Sequence, residues 1–302
     1  MATSENQLDL VFVAPDATAL APAESFLSAE KSRIAAADVL TGRRSVRLVG
    51  INGAALAMPE LIKRANAAGL DAALVSHDLK LSQFKAAFFD MDSTLVANET
   101  LDEMARMLGL GEACAEITHK AMTGEIKDYA ASLRARVALL KGLSAECVSD
   151  LTADLKLNPG VETMIGRLNA AGLATYVVSS GFTILTEVVR RKLNMTGTHS
   201  NVIGIADGRF TGDVTGPEGG TIIDASGKAA FVRETMAAMG LDPTASICAG
   251  DGSNDVGMVS AAGFGVGFRP KAVLAPHCRM QINVCGFDVL LEAFADTAEV
   301  FA

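Results

Sequence analysis

Short apolar segments alternate with amphipathic stretches along the chain, and this alternation predicts where strands and helices lie. The first 82 residues contain three segments typical of strands and two typical of helices. In chain order these are Leu8–Val13 (strand), Ala21–Leu40 (helix), Ser45–Ile51 (strand), Pro59–Ala68 (helix) and Asp71–Val75 (strand). We therefore predict a small α+β unit over residues 1–82.

From residue 83 onward the order becomes strand, long helical region, strand, helix, hairpin, helix, strand and helix. The segments are Ala86–Phe89, Glu99–Leu155, Ala174–Val178, a helix from Thr183, Gly197–Gly216, Ala229–Met239 and Ala245–Ala249. Alternating strands and helices predict an α/β fold with a Rossmann-like parallel sheet. Because the helical region is too long for a simple crossover, we expect a helical cap at about residues 97–158 of a core spanning 83–302.

Composition is typical of a folded globular protein. The 302 residues are 50% hydrophobic and 20% charged, enough to bury cores for two modest domains. The N-terminus carries Glu5 and Asp9 and lacks the basic and apolar regions of a secretory signal, so no export is expected. Apolar stretches end within a few residues at a charge, far short of the roughly 20 needed to cross a bilayer, which argues against a membrane pump.

Charge and cysteine content narrow the choice of partners and compartment. A net charge of −9 without a Lys/Arg cluster argues against nucleic acid, but an anionic substrate is possible where a metal and a few cations are placed locally. Five cysteines without a Cys-x-x-Cys pair predict free thiols in the reducing cytoplasm. His277, Cys278 and Cys285 match no zinc-ligand spacing, so we interpret these cysteines as small buried hydrophobes.

Two carboxylates directly follow the first strand of the core. Asp90 and Asp92 stand at positions i and i+2 after Ala86–Phe89, where both can project toward one site. Such a pair suits Mg²⁺, which takes one or two protein carboxylates together with a phosphate oxygen. Asp90 is the candidate nucleophile on phosphorus, and Asp92 is the candidate general acid and base. Taken alone, the pair is also typical of carboxylates that only decorate a loop.

The second core strand ends in small polar residues. Ser179, Ser180 and Gly181 follow Ala174–Val178 and precede the helix from Thr183. A hydroxyl and free N–H groups at a strand-to-helix turn can cradle a phosphate, because helix N-termini favour anions. The competing interpretation is a serine that only caps the helix.

The last predicted strand and the helix before it add the remaining candidate groups. Asp251 lies between Gly250 and Gly252, which let the backbone approach a metal site, and Asn254 offers a neutral amide. A calcium loop is the competing interpretation, but the spaced ligands and final Glu of an EF-hand are missing. Lys228 can stabilise the charge on the oxygens of a transferring phosphoryl group, although a lone lysine is usually a solvated surface residue.

Taken together, these residues resemble the haloacid dehalogenase (HAD) superfamily from about residue 83 to the end. Its four motifs are matched in order by Asp90-x-Asp92-x-Thr94, Ser179, Lys228 and Gly250-Asp251-x-x-Asn254-Asp255. The resemblance implies an aspartyl-phosphate intermediate on Asp90, with Asp92 as acid and base. It also implies that Mg²⁺ is held by the Asp90 carboxylate, the Asp92 backbone carbonyl and the Asp251 carboxylate.

Within that superfamily the chain is similar to the phosphoserine phosphatases, because of residues 90–100 (DMDSTLVANET) and 132–137 (SLRARV). The resemblance implies hydrolysis of O-phospho-L-serine, the last step of serine biosynthesis. It assigns Glu99 to the substrate ammonium and Arg136 to its carboxylate, a pairing that charge and fork geometry support. The competing interpretation is that both are ordinary charges on exposed helix faces. The other residues expected to contact the substrate are Ser179, Ser180, Gly181, Lys228 and Asn254.

Two features depart from the family pattern. The family has Ser-Gly-Gly-Phe where this chain has Ser179-Ser180-Gly181-Phe182, so Ser180 puts a side chain where glycine is usual. The spacing between Met122 and Arg134 is one residue longer than usual, which shifts the expected register of the cap.

Residues 1–82 resemble ACT-like regulatory domains in the order of their strands and helices, and an attached unit of this kind suggests a homodimer. Three alternative functions compete with this interpretation. A phosphotransferase would share the intermediate, and sequence does not separate it from a hydrolase. A 2-haloacid dehalogenase needs no magnesium and therefore no Asp92. A module that only senses an amino acid is disfavoured by the complete set Asp90, Asp92, Lys228 and Asp251.

Overall fold

The computed structural model describes residues 7–51 and 56–297. That part of the chain contains eleven strands: β1 Leu8–Val13, β2 Asp38–Thr41, β3 Ser45–Ile51, β4 Asp71–Ser76, β5 Ala86–Phe89, β6 Ala174–Phe182, β7 Gly197–Ala206, β8 Arg209–Thr215, β9 Ser246–Gly250, β10 Phe264–Phe268 and β11 Met280–Ile282. It also contains ten α-helices: α1 Glu24–Arg33, α2 Met58–Ala67, α3 Thr100–Met107, α4 Gly111–Met122, α5 Tyr129–Ala138, α6 Glu146–Ala153, α7 Val161–Ala170, α8 Thr183–Leu193, α9 Ala225–Ala238 and α10 Val256–Ala261.

All eleven strands join in one sheet, in the order β2-β3-β1-β4-β11-β10-β9-β5-β6-β7-β8. The six central strands from β11 to β7 run parallel, as the alternation of strands and helices predicts. The N-terminal strands β1 to β4 are antiparallel, and β4 pairs with β11 through Ala73 and Met280. The N-terminal unit therefore extends the sheet of the core, and a domain boundary at residues 82 and 83 stays a prediction.

Apolar strands in the centre of the sheet are buried on both faces. All four residues of β5 are buried, and Phe88 and Phe89 are both 0% exposed. Phe89 packs in the cluster that extends under the cap, while Phe88 packs on the other face with Val232 and Met258. Because successive side chains of a strand point to opposite faces, a continuous apolar run is what a sheet covered by helices on both sides requires.

The predicted helix over Ala21–Leu40 is wrong in its second half. Helix α1 ends at Arg33, and the chain then forms β2, an edge strand that pairs with β3. Val39 and Leu40 are 40% and 36% exposed there, so their apolar pattern does not mark a core-facing helix. Ladder hydrogen bonds to β3 outweigh local helix propensity at this position.

Helix α9 begins earlier than predicted. It starts at Ala225 instead of Ala229 because Asp224 caps it, with Asp224 Oδ1 accepting the Gly227 N–H at 2.9 Å. Lys228 consequently lies within the first turns of the helix, where its side chain is 0% exposed.

Four helices, α3 to α6, occupy the region between β5 and α7 where a cap is expected. Asp128 caps α5 by accepting the N–H groups of Ala130 and Ala131. The hairpin of β7 and β8 follows α8, and β8 packs against α5. In the described part of the chain, no helix combines the length and apolar character that crossing a membrane requires.

Candidate active site

A pocket of about 510 Å³ lies between the cap helices and the carboxyl ends of the central strands. Nine of the ten candidate residues line it: Asp90, Asp92, Glu99, Arg136, Ser179, Ser180, Gly181, Asp251 and Asn254. The tenth, Lys228, is buried and contacts Asp90. Parallel strands end at the same edge of a sheet, so residues as far apart in sequence as Asp90 and Asn254 meet in one site.

The turn after β5 places both carboxylates of the aspartate pair. The Asp90 N–H continues the ladder by donating to the Ala249 carbonyl at 2.9 Å, and the chain turns after it, with Ser93 at φ +56°. The Asp90 carboxylate accepts the Met91 N–H at Oδ1, 2.7 Å away. This local bond fixes the carboxylate at the strand end, where it faces the pocket.

Lys228 joins two buried carboxylates. Its Nζ lies 2.7 Å from Asp90 Oδ1 and 2.8 Å from Asp255 Oδ1. Burial opposes the charge of Lys228, but the two carboxylates outweigh burial and raise its pKa above the ordinary value, so it remains an ammonium. Both contacts of Asp90 with Met91 and Lys228 fall on Oδ1. Oδ2 is therefore the oxygen left for chemistry.

Asp90, Asp251 and Asp255 form a buried acidic cluster whose ligand oxygens lie within 4.8 Å of one another. Burial, and then the charge of Asp255, raise the pKa of Asp90 well above its usual value, while Lys228 lowers it. A divalent cation would relieve this repulsion. Three carboxylates with no sulfur or nitrogen donor fit a hard cation such as Mg²⁺.

Asp255 was part of the matched motif but was not predicted as a site residue. Its Oδ1 pairs with Lys228, and its Oδ2 accepts the N–H groups of Asp251 and Gly252, each at 3.0 Å. A Cβ on Gly250 would lie 2.3 Å from the Asp255 Cγ, so only glycine fits there. Asp255 thus holds the loop that presents Asp251. The sequence feature that points to Asp255 is its place at the end of the glycine-rich segment that begins at Gly250.

The segment from Ser179 to Gly181 bulges out of the sheet. Three residues lie between Val178 and Phe182 on β6, but only one lies between their partners His199 and Asn201 on β7. Extra residues in one strand leave the ladder and bend the chain, which turns this segment into the pocket. The helix-capping interpretation is wrong, because the N-cap of α8 is Phe182 and carries no side-chain cap.

Hydrogen bonds fix the shape of this bulge. Ser179 Oγ accepts the Gly181 N–H at 2.9 Å, and Asn201 Nδ2 donates to the Ser180 carbonyl at 2.8 Å. Ser180 Oγ is buried and has no hydrogen-bond partner among the described residues. A Cβ at Gly181 would lie 3.1 Å from Asp92 Oδ2, which is a tight contact. The departure from the family pattern is instead at Ser180, where the bulge accommodates a side chain.

Asp92 lies beside the start of α3. Its Oδ1 accepts the Thr100 N–H at 2.9 Å. Burial raises the pKa of Asp92 to about 6, although the hydrogen bonds from Thr100 oppose the shift. A carboxyl group with a pKa in this range can both donate and accept a proton near neutral pH.

The cap side of the pocket carries charges that the protein leaves largely unpaired. Glu99 is exposed and accepts the Ser93 hydroxyl at 2.8 Å. Arg136 Nε is buried without a hydrogen-bond partner among the described residues, and its Nη1 lies 4.0 Å from Asp102 Oδ1. Both side chains line the pocket, Glu99 from an exposed position and Arg136 from a mostly buried one.

Three further pocket residues were not predicted. Tyr129 Oη donates to the Ser180 carbonyl at 3.3 Å, which connects the cap to the bulge. Asp102 faces Arg136 across 4.0 Å. Lys271 follows β10, and its Nζ lies 2.9 Å from Asp251 Oδ2. Tyr129 and Asp102 sit in helices whose pocket-facing side depends on how the cap packs, and Lys271 is a lone lysine in a loop without a motif.

The fold and the pocket define a class of protein: an α/β enzyme that gathers carboxylates, a buried ammonium and a polar bulge at the carboxyl ends of parallel strands. Comparison with known proteins agrees with this class. The haloacid dehalogenase-like hydrolase family matches residues 87–260, more than half of the chain. The chain belongs to this family.

Similar proteins are found over most of the chain. A phosphoserine phosphatase from Polaromonas sp. (strain JS666) is 41% identical over 225 residues, covering 74% of this chain and 95% of the relative. A solved HAD-family hydrolase from Salmonella enterica serovar Typhi is 25% identical, covers 96% of this chain and 98% of its own, and superposes with a TM-score of 0.82. A phosphoserine phosphatase solved as a phospho-aspartyl intermediate analogue is 33% identical over 70% of this chain and 99% of its own, with a TM-score of 0.63.

Proposed function

We propose that this hydrolase converts O-phospho-L-serine and water to L-serine and phosphate, the last step of serine biosynthesis, with Mg²⁺ as its metal. The observation that carries the proposal is one pocket with two differently equipped sides. The core side bears the acidic cluster of Asp90, Asp251 and Asp255, while the cap side bears Glu99 and Arg136. The names of the similar phosphatases support the same substrate.

The metal is proposed to bind to the carboxylates of Asp90 and Asp251 and to the backbone carbonyl of Asp92. Asp255 is less suited to be a ligand, because both of its oxygens already accept hydrogen bonds. When bound, Mg²⁺ supplies positive charge that offsets the clustered carboxylates and an incoming phosphate dianion. This charge would favour the ionised form of Asp90, whose pKa burial raises.

In the proposed reaction Asp90 Oδ2 attacks phosphorus, and the bond from phosphorus to the serine oxygen breaks. Asp92 gives its proton to that leaving oxygen, so L-serine departs and the phosphoryl group is esterified to Asp90. Asp92, now ionised, takes a proton from a water that attacks the same phosphorus. Phosphate leaves, the Asp90 carboxylate returns and Asp92 is again protonated.

The remaining core groups are proposed to bind the phosphoryl oxygens. Lys228 supplies a fixed ammonium next to Asp90, and a pre-positioned charge stabilises the transition state without reorganisation. Ser179, Ser180 and Gly181 offer hydroxyl and N–H donors from the bulge, and Asn254 offers an amide.

Recognition of serine is proposed to come from the cap. Arg136 would bind the substrate carboxylate in a bidentate fork, and Glu99 would pair with its ammonium. Simple alkyl phosphates are then poor substrates, because they leave the buried Arg136 Nε and its charge unpaired.

The setting of the enzyme is also proposed. Residues 1–82 would act as an ACT-like regulatory or oligomerisation domain, and a homodimer is our prediction for the assembly. We expect no nucleic-acid partner. We place the enzyme in the cytoplasm, which suits five free cysteines.

The proposal is tested by measuring phosphate release from a panel of phosphorylated metabolites, each with Mg²⁺ and with EDTA. Phosphoserine should be preferred by at least about tenfold in kcat/KM over phosphothreonine, glycerol phosphate and p-nitrophenyl phosphate, and EDTA should abolish release. Preference for a phosphate ester without an amino acid group would refute the substrate. Full activity in EDTA would refute the metal.

A further inference from the structure

Lys271 holds Asp251 at two points. Its backbone N–H donates to the Asp251 carbonyl at 2.8 Å, and its Nζ lies 2.9 Å from Asp251 Oδ2. Neither the HAD motifs nor the recognition residues include this lysine. It is therefore a third strand-end connection to the acidic cluster, coming from the loop after β10.

The backbone of Lys271 is itself anchored. Its carbonyl accepts the N–H groups of Leu274 at 2.9 Å and Ala275 at 3.1 Å. The end of its side chain lies close to Gly252, where a Cβ would be 3.7 Å from Nζ and 2.8 Å from Asn254 Oδ1. The lysine therefore packs at van der Waals distance over Gly252, while the side chain of Asn254 is the group that a Cβ there would crowd.

The two ammonium groups at the site have separate partners. Lys228 pairs with Asp90 and Asp255. Asp251 instead forms its ion pair, among the described residues, with Lys271. The Asp251 side chain is only 9% exposed, so its charge depends on this partner for compensation. Lys271 is 63% exposed at the rim of the pocket, where water can replace its contacts.

We infer that Lys271 is a positioning residue for the proposed metal site: by engaging Oδ2, it holds the Asp251 carboxylate in the orientation that presents Oδ1 to the cation. This inference rests on the proposed function, since it concerns the metal that the function requires. It deepens that function by assigning a supporting partner to one ligand, a type of contact whose loss typically weakens metal binding 10- to 100-fold.

An opposite effect must be weighed, because an ammonium also repels a nearby cation. Since Lys271 is mostly in water, that repulsion is screened and amounts to about threefold in affinity at physiological salt. Because the lysine of this pair is mostly exposed, positioning is expected at the low end of its range, about tenfold. Positioning therefore outweighs repulsion, and the two effects differ in their response to salt.

The test measures Mn²⁺ binding to the substrate-free protein from the EPR signal of free Mn²⁺, with Mg²⁺ as competitor, at 0.05 and 0.5 M NaCl. Lys271→Met should bind both ions about threefold more weakly at low salt and closer to tenfold more weakly at high salt, because salt removes the repulsion but not the loss of positioning. Lys271→Arg, which keeps the charge and the reach, should remain within about twofold of the unchanged protein.

The matched control is Lys156→Met, which removes another exposed ammonium, 3.7 Å from Asp154 and outside the pocket. It should bind Mn²⁺ like the unchanged protein. If Lys271→Met binds as tightly as the unchanged protein or more tightly at both salt concentrations, the positioning role is wrong while the proposed function stands. If the unchanged protein binds neither ion, the metal site of the proposed function fails, and this inference with it.

Discussion

The two sides of the pocket differ in how completely the protein satisfies its own charges. On the core side, Asp90, Lys228 and Asp255 are buried, and the Lys228 Nζ lies 2.7 Å from Asp90 Oδ1 and 2.8 Å from Asp255 Oδ1. On the cap side, Glu99 is exposed and Arg136 keeps a buried Nε without a partner among the described residues. The difference teaches which groups are set by folding and which are open to a ligand: the proposed catalytic groups are pre-assembled, whereas the proposed recognition groups keep open hydrogen-bonding capacity.

The difference has a structural cause. Asp90 and Asp255 follow strands that are paired on both sides, β5 between β6 and β9 and β9 between β5 and β10, and Lys228 lies in helix α9. Their backbones can hardly move without breaking the sheet. The cap residues lie at the ends of helices: Glu99 directly precedes α3, and Arg136 lies in the last turn of α5. Substitutions on the two sides should therefore have different consequences.

The largest effect is expected on the core side. Asp90→Asn removes the nucleophile and should lower kcat about 10⁴-fold or more while the fold is kept. Phosphate release and circular dichroism measure the two properties, with exposed Asp150→Asn as the matched control. Normal turnover in Asp90→Asn would refute the covalent route.

Lys228→Met should affect both activity and stability. It leaves two buried carboxylates, Asp90 and Asp255, without their shared ammonium. Breaking a buried ion pair by removing one partner costs about 3–5 kcal/mol, and losing the charge at the phosphate should lower kcat about 10²-fold or more. Urea unfolding of the metal-free protein checks stability. Exposed Lys192→Met is the control, and equal stability of the two variants would contradict a buried, paired lysine.

On the cap side, Arg136→Ala should leave stability nearly unchanged and act on substrate binding. It should raise KM for phosphoserine about 30-fold, since a charged hydrogen bond contributes about 2 kcal/mol. KM for p-nitrophenyl phosphate should rise less than about threefold, because that substrate lacks the carboxylate. Arg134→Ala, exposed on the same helix and outside the pocket, is the control. Equal effects on both substrates would argue against carboxylate recognition.

The smallest effect concerns Asp92, between the two sides. Its pKa is about 6 in the folded protein, mainly because of burial, against an ordinary value of 3.8. Stability from this group is fully present below pH 3.8 and is lost as pH rises through about 6. Asp92→Asn avoids this loss of stability, because an amide carries no charge to bury at any pH. After allowance for the partial exposure of the side chain, the metal-free variant should be about 1–2 kcal/mol more stable than the unchanged protein at pH 7.

Urea unfolding at pH 4.5 and pH 7 measures this difference, which should shrink at the lower pH because Asp92 is then neutral in the folded protein and already partly protonated in the unfolded chain. A difference that is equal at the two pH values would show that burial of the charge is not its cause. Activity should fall in the same variant, since the proton donor is lost.

Much of the core could be predicted from local pattern. The bounds of β1, β3 and β5 agree with the predicted strands, and Asp90, Asp92, Ser179 and Asp251 stand where the apolar runs end. Strands buried on both faces require apolar runs, and such runs are visible in any window of the chain. The second half of the predicted helix over Ala21–Leu40 failed because the edge strand β2 is defined by its pairing partner, not by its own periodicity.

Other features depended on contacts between distant residues. Lys228 has the local appearance of a surface lysine, yet its side chain is 0% exposed in the folded protein. Its partner Asp255 is 27 residues further along the chain, so no local window of sequence reveals the pair. Lys271 carries no motif and gained a partner only when β10 came to lie beside β9.

The amino-acid sequence by itself determined the kinds of group available and the strand ends that carry them, because hydrophobic periodicity and strand-ending polar residues are local properties. Only the tertiary structure decided which charges are paired and which remain open for a ligand. Ion pairs require atoms within about 4 Å, and the order of strands in the sheet sets those distances.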